Sequence, residues 1–220
     1  MEVKNAVAVR QSVRAFKSDP IPTQVLEAIM EQALRSPSWG NTQPWKLTVV
    51  GGQALNKIRE EYVRRISAGT ASNPDFSPPE TFNEPQTTRY KGLGRDLFQA
   101  LGIARDDKEK RMAHYLNMYN FFGAPNVIYL HLEKGFHPYA LMDGGILLQT
   151  IALLAVEQGL GTCFLAVSVS YADVVRQFTG LAADQTLIMG LAIGYPIADH
   201  PVNLFKSSRG KAEEFISWVD

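Results

Sequence analysis

From Tyr139 to Gln158 the chain runs almost without charge. Leu141, Met142, Ile146, Leu147, Leu148, Ile151, Leu153, Leu154 and Val156 recur at helical distances but do not fall on one stripe. A helix that is apolar all round must be covered all round. With 220 residues the chain fits one large domain or two small ones, and one sheet of that size cannot cover such a helix on every side. The segment therefore predicts a buried central helix with a second copy of the chain against it, because obligate dimers bury large apolar faces of this kind. The longest weakly charged stretch, Ile146 to Val156, is read as too short to span a bilayer.

The rest of the sequence supports a folded core. Hydrophobic residues make up 45% of it and charged residues 20%, which excludes disorder of the whole chain. The 22 basic and 22 acidic side chains balance, so the sequence carries no footprint for nucleic acid or an anionic membrane. Cys163 is the only cysteine, which precludes an intrachain disulfide and fits a reducing compartment. Met1-Glu2-Val3-Lys4-Asn5 lacks the basic segment and apolar core of a signal peptide, so a cytoplasmic location is expected.

Periodicity gives alternating helices and isolated strands. Helices are predicted over 2–11, 23–35 (with Thr23 as cap), 54–66, 106–122, 139–158 and 171–178. Strands are predicted over 44–50, 125–132, 162–167 and 187–193. Residues 67–92, with Pro74, Pro78, Pro79 and Pro85 among Ser, Thr and Asn, read as an inserted lid within one domain.

Four groups of residues suggest chemistry. Arg10, Ser12 and Arg14 place two guanidiniums and a hydroxyl within five residues, and Arg209 follows near the C-terminus. A phosphate dianion wants several such charge-assisted donors. From spacing alone, solvated surface charge is the stronger reading of these arginines. The connector Pro37-Ser38-Trp39-Gly40-Asn41-Thr42-Gln43-Pro44-Trp45 is dense in amides and hydroxyls that suit a flavin pyrimidine, but also an ordinary polar turn with Trp45 as core filler. Asn117 and Asn120 share a helix face and can bond a heterocycle, cap the helix or meet solvent. Gly159-Leu160-Gly161-Thr162-Cys163-Phe164-Leu165-Ala166 stops the long helix and starts a strand whose backbone can face a ring. Cys163 itself reads as an inert buried thiol. His114, His131, His137 and His200 are scattered, so no metal site is expected, and neither a Gly-x-Ser-x-Gly elbow nor a Walker loop is present.

Together, and in this order, these motifs resemble the nitroreductase family of FMN enzymes, from about Ala6 to Arg209. The most specific parts are Arg10-x-Ser12-x-Arg14-x-Phe16, the 37–45 connector, Phe122-Gly123-Ala124-Pro125, the 159–163 turn and Ser208-Arg209. The insert and the Arg105-Asp106-Asp107-Lys108 helix are most similar to the nitrobenzoate-reductase-like branch. The resemblance implies an α+β fold with a central mixed sheet surrounded by helices, in an intertwined homodimer with FMN at the subunit interface. It implies that Arg10, Ser12, Arg14 and Arg209 hold the phosphate and ribityl chain, and that Asn117 and Asn120 bond the ring. It also implies that Leu165 and Ala166 approach the ring's far side, and that Pro37, Ser38, Trp39 and Asn41 reach it from the partner subunit. The chain has Ser207 and Asn120 where some relatives carry lysine.

The implied activity is ping-pong reduction of a nitroaromatic or quinone-like acceptor by NADH or NADPH, with the chemistry carried by FMN and no protein nucleophile. Alternatives on the same scaffold are reductive dehalogenation, enoate-type reduction, flavin destruction, or a non-catalytic FMN carrier or sensor. Glu84, Arg89, Tyr90 and Lys91 of the insert can contact an anionic substrate or simply lie exposed.

Overall fold

A computed structural model describes residues 1–219. In chain order its regular elements are α1 (Val3–Val9), α2 (Thr23–Ala33), β1 (Trp45–Gly51), α3 (Gly52–Ser67), α4 (Glu84–Ala100), α5 (Lys108–Tyr119), β2 (Asn126–Glu133), α6 (Tyr139–Glu157), β3 (Gly161–Leu165), α7 (Ala172–Thr179), β4 (Gln185–Gly194) and α8 (Pro201–Leu204). The architecture is α+β. The sheet order is β1-β2-β4-β3, and all three strand pairings are antiparallel. The expectation of a mixed sheet is thus corrected within the chain's own strands. Among the described residues, parallel pairing touches the sheet only at a single bridge between Ser12 and Thr162.

Each strand alternates its side chains between two cores, because successive residues point to opposite faces. Val127 and Tyr129 of β2 face a core with Leu55, Ile58 and Tyr62 of α3 and Val174 and Val175 of α7. Ile128, Leu130 and Leu132 face the other, with Leu26 and Ile29 of α2 and Leu147, Leu148, Ile151 and Ala155 of α6. A smaller cluster joins Leu97 of α4 and Val202 of α8 to Ala15.

The central helix is as apolar as the sequence suggests, and α6 buries Ala140, Asp143, Gly144, Leu147, Leu148, Ile151, Ala152 and Ala155. By length and composition it is nonetheless long enough to cross a bilayer, with 19 residues at mean hydropathy 1.6, which corrects the sequence reading of this run. It packs as a core helix against the sheet and α2. Met142 and Ile146 stay 62% and 41% exposed, so its outer side is not covered by the chain itself.

Several boundaries moved for local reasons. Thr23 is not the cap of α2 but its first residue, following Pro22, and no side chain caps that end. α5 begins after Asp107, whose carboxylate accepts the Lys110 N–H, and it stops at Tyr119 because Phe121 and Phe122 adopt φ of 52° and 55°. Such left-handed values are rare for bulky residues and end a helix. The 162–167 strand stops at Leu165, where a short turn of helix begins.

The 67–92 segment is irregular only through residue 83. There Asn83 forms a capping box with Gln86 and starts α4, an arrangement that satisfies two orphan donors. The Pro-rich reading missed this helix because Pro85 sits in its first turn, where proline is tolerated. The first part of the segment is strapped down. Tyr171 Oη donates to the Thr70 carbonyl (2.9 Å), Asn73 N to Ser170 O (2.8 Å), and Asp75 accepts from the Arg176 guanidinium (3.0 Å) and Leu187 N (2.9 Å). α4 buries only Leu97, and Arg89 ties its N-terminal half to Glu214 at 2.6 Å.

His131 of β2 is buried between Thr48 Oγ1 and Gln185 Oε1, each 3.0 Å from a ring nitrogen. Burial lowers its pKa, the Gln185 bond opposes this, and Lys46 adds to the lowering. A folded-state value below the unfolded one means that the unfolded chain takes up the proton first. Stability from this site is therefore full above about pH 6.5 and falls with pH down to the folded value, at no more than about 1.4 kcal/mol per pH unit. Urea midpoints for wild type and His131→Gln at pH 8 and 5.5 check this. The wild type is expected to lose more on acidification, and equal losses would remove His131 from the account.

Candidate functional site

The segment after α1 carries the first donors. Val13 N donates to Thr162 O at 2.9 Å, beside the Ser12–Thr162 bridge, which lays residues 10–14 along the outer edge of β3. Burial raises the pKa of the Cys163 thiol, while Arg14, Ser12 and Arg10 each lower it. Burial also lowers the pKa of His114 on α5, and Arg14 lowers it further. Arg14 Nη1 donates to Ser12 O at 3.3 Å, leaving most of its donors for a ligand.

Asn203 of α8 holds this segment in place, and the sequence reading missed it. Buried, it accepts the Arg14 N–H at 2.8 Å and donates to Ala15 O (2.8 Å) and Ile197 O (2.9 Å), while its own carbonyl accepts from Gln11 Nε2 at 2.6 Å. A lone asparagine after a proline gives no periodic signal, so only the fold reveals this role. Arg209 stands apart. Its guanidinium folds onto Ser207 O (3.2 Å), Ser207 Oγ (2.7 Å) and Ser208 O (2.9 Å), and none of these bonds reaches residues 10–14.

On the same side lie the amides and the end of β3. Asn117 is exposed and Asn120 half-buried, and neither side chain is hydrogen-bonded among the described residues. Leu165 is buried and Ala166 exposed at the start of the turn Ala166–Val169. That turn is fixed from behind: Ser168 Oγ donates to Leu165 O at 2.6 Å, and Tyr62 Oη donates to Ser168 O at 2.7 Å. The arrangement joins a cationic end to a neutral end rich in free amide and backbone groups. Such a donor set suits a phosphorylated chain ending in a polar heterocycle, so the residues present fit an FMN.

The 37–41 connector lies with α6, against the opposite face of the sheet. Pro37 and Asn41 are exposed and Ser38 is half-buried. The Trp39 N–H donates to the Asp143 carboxylate at 3.1 Å, Ser38 Oγ accepts the Gln43 N–H at 2.9 Å, and Ser36 Oγ bonds Thr150 Oγ1 at 3.0 Å. Gly40, Asn41 and Gln43 have φ of 56°, 58° and 47°. Two non-glycine residues held in the left-handed region mark local strain of the kind kept at functional sites. Within one chain, residues 12–13 pair with Thr162 at the edge of β3, α5 contacts the 166–169 turn that follows this strand, and 37–41 lie with α6 against the other face of the sheet.

Residues 7–195 match the family model described as the nitroreductase family. The chain belongs to the nitroreductase family. Among relatives of this nitroreductase-family chain, the 4-nitrobenzoate reductase of Nocardioides sp. (strain LMS-CY) is 28% identical over 96% of the chain and 87% of the relative. Nitroreductase NfnB of Mycolicibacterium smegmatis is 33% identical over 93% of the chain and 87% of its own length. These place the chain in the nitrobenzoate-reductase-like branch. The crystal structure of the FMN and NADPH-dependent nitroreductase NfnB from sphigopyxis sp. strain HMH superposes with a TM-score of 0.96 over 100% of both chains, at 38% identity.

Proposed function

We propose that the chain is an FMN-dependent oxidoreductase that reduces nitroaromatic or quinone-like acceptors with NADPH or NADH, working as a cytoplasmic homodimer. The observation that carries this reading is the pairing that lays residues 10–14, with Arg10, Ser12 and Arg14, along the edge of β3 at Thr162, in a fold that matches an FMN and NADPH-dependent nitroreductase along its whole length.

The chemistry FMN supplies when bound is two-electron transfer between a nicotinamide and an acceptor in separate half-reactions. The protein binds and orients. Arg10 and Arg14 would hold the phosphate with forked donors, Ser12 would add a hydroxyl, and Arg209 would supply a further guanidinium from the C-terminal segment. Asn117 and Asn120 would bond the ring, and the Leu165–Ala166 backbone would approach it from a turn that Tyr62 and Ser168 hold in place. Protons come from solvent through the open site.

Pro37, Ser38, Trp39 and Asn41 complete the site from the partner. Support for this comes from their place on the α6 face, away from the chain's own donor cluster, and from the uncovered Met142 and Ile146. Residues 67–92, in one domain with the rest, serve as a lid, held around residues 70–75 and, at the first half of α4, through Arg89 to Glu214.

The purified protein is expected to be yellow, with one FMN per chain, and dimeric by light scattering. It is expected to oxidise NADPH on addition of a nitroarene, and removing FMN should lower the dimer's resistance to dilution, because a ligand that binds only the dimer stabilises it. A colourless protein that cannot be reconstituted with FMN would sink the cofactor reading. A holoprotein that stays monomeric would remove the partner roles of Ser38 and Asn41.

A further inference from the structure

A groove of about 920 Å³ opens between the 39–46 segment and the start of α6. Its wall is aromatic. The rings of Trp39 and Tyr139 lie 6.3 Å apart, and His137 stacks on Tyr139 at 5.4 Å and 11°. In the single chain Trp39 and Tyr139 are 65% and 49% exposed. The polar groups are few and of one dominant sign. Asp143 is 5% exposed, and among the described residues its carboxylate accepts only the Trp39 N–H. The one lysine or arginine in the lining, Lys46, is already paired with Glu133 at 3.0 Å. His137 Nδ1 accepts the Tyr139 N–H at 3.3 Å.

We infer that this groove receives the electron acceptor and selects planar, electron-poor aromatic rings that carry no negative charge, with Asp143 as the residue that sets the charge preference. The inference rests on the reading above, in which Trp39 faces the partner's flavin. Electron-rich indole and phenol faces stack well on a ring depleted by a nitro group. An anionic substituent entering the same groove meets the Asp143 charge in a partly water-excluded setting, where Coulomb repulsion is several-fold stronger than in bulk water. Lys46 offers little relief, because Glu133 already satisfies it.

The test uses the holoprotein and NADPH with 4-nitrobenzoate and its methyl ester, which share a ring and a nitro group and differ in charge. The ester's kcat/KM is expected to exceed that of the carboxylate by about tenfold or more. Asp143→Asn keeps an oxygen to accept the Trp39 N–H and removes the charge, so the ratio should fall several-fold towards one. Glu133→Gln changes an exposed side chain, releases Lys46 and should lower the ratio in the same direction by a smaller factor. Binding of both compounds to the oxidised protein, read by tryptophan quenching, should show the same order without turnover. Equal constants in the wild type, or a ratio that neither variant lowers, would overturn the inference. If that happens while NADPH is still oxidised with ferricyanide, the FMN-reductase reading stands. A protein that binds no FMN defeats that reading instead, and the quenching measurement still decides the groove.

Discussion

Arg14→Ala is expected to lower FMN affinity by roughly 10- to 150-fold, the equivalent of one charge-assisted hydrogen bond of about 1.5–3 kcal/mol. Arg14 lies in the segment that runs along the edge of β3, and its charge lowers the pKa of both Cys163 and His114. Its side chain does little for the fold, since among the described residues its one hydrogen bond is to Ser12 O at 3.3 Å. The backbone is held independently, through Asn203 Oδ1. The variant should therefore melt like wild type without flavin and differ from it in a flavin titration. Arg209→Ala should weaken binding in the same direction but less, because its exposed guanidinium is already engaged by Ser207 and Ser208. If Arg14→Ala retains FMN as tightly as wild type, the 10–14 segment is not the phosphate site.

Gly190→Ala is expected to cost about 2–4 kcal/mol of stability, from overpacking and from strain on buried hydrogen bonds. In a chain of this size that corresponds to a fall in Tm of roughly 5–15 °C. β4 passes directly beneath the turn that follows β3, and a Cβ at Gly190 would lie 1.9 Å from Ser168 Oγ, 2.9 Å from Ser168 Cβ and 3.2 Å from Val127 Cγ1. Ser168 must shift, and with it go its bonds to Leu165 O and Tyr62 Oη. Ala166 sits on the same turn, so flavin affinity should fall along with the melting temperature. Gly94→Ala is the contrasting case. It lies inside α4 with nothing within 4 Å of its Cβ position, and alanine there should stabilise by about 0.5–1 kcal/mol through helix propensity. Thermal melts of the two variants beside wild type check both signs. A neutral Gly190→Ala would mean that β4 and the turn are not in close contact.

Reading the chain by pattern found each strand and most helices because their signals are local. β2 and β4 are apolar runs bounded by turn residues, and α6 is uniform over nineteen positions. α4 was lost because its propensity is modest and its start is encoded by a side-chain cap next to a proline. The early ends of α5 and β3 came from backbone conformations at Phe121, Phe122 and Leu165. No one-dimensional pattern marks those positions.

The site divides along the same line. Sequence by itself determined the kinds of groups available: arginines with a serine at one end of the chain, amides in the connector and on a helix, and a glycine-bounded strand start. It also determined that α6 is apolar around most of its circumference. Only the tertiary structure decided which of these meet. It set residues 10–14 on the edge of β3 through the Thr162 bridge and the Asn203 clamp, and it put the 37–41 connector with Asp143 on the other face. The physical reason is that hydrophobic patterning is a one-dimensional consequence of burial, whereas a binding site is made by hydrogen bonds and charges between residues far apart in sequence, as Arg14 and Asn203 are at 189 positions. Those pairings carry no periodicity and exist only once the sheet has ordered its strands.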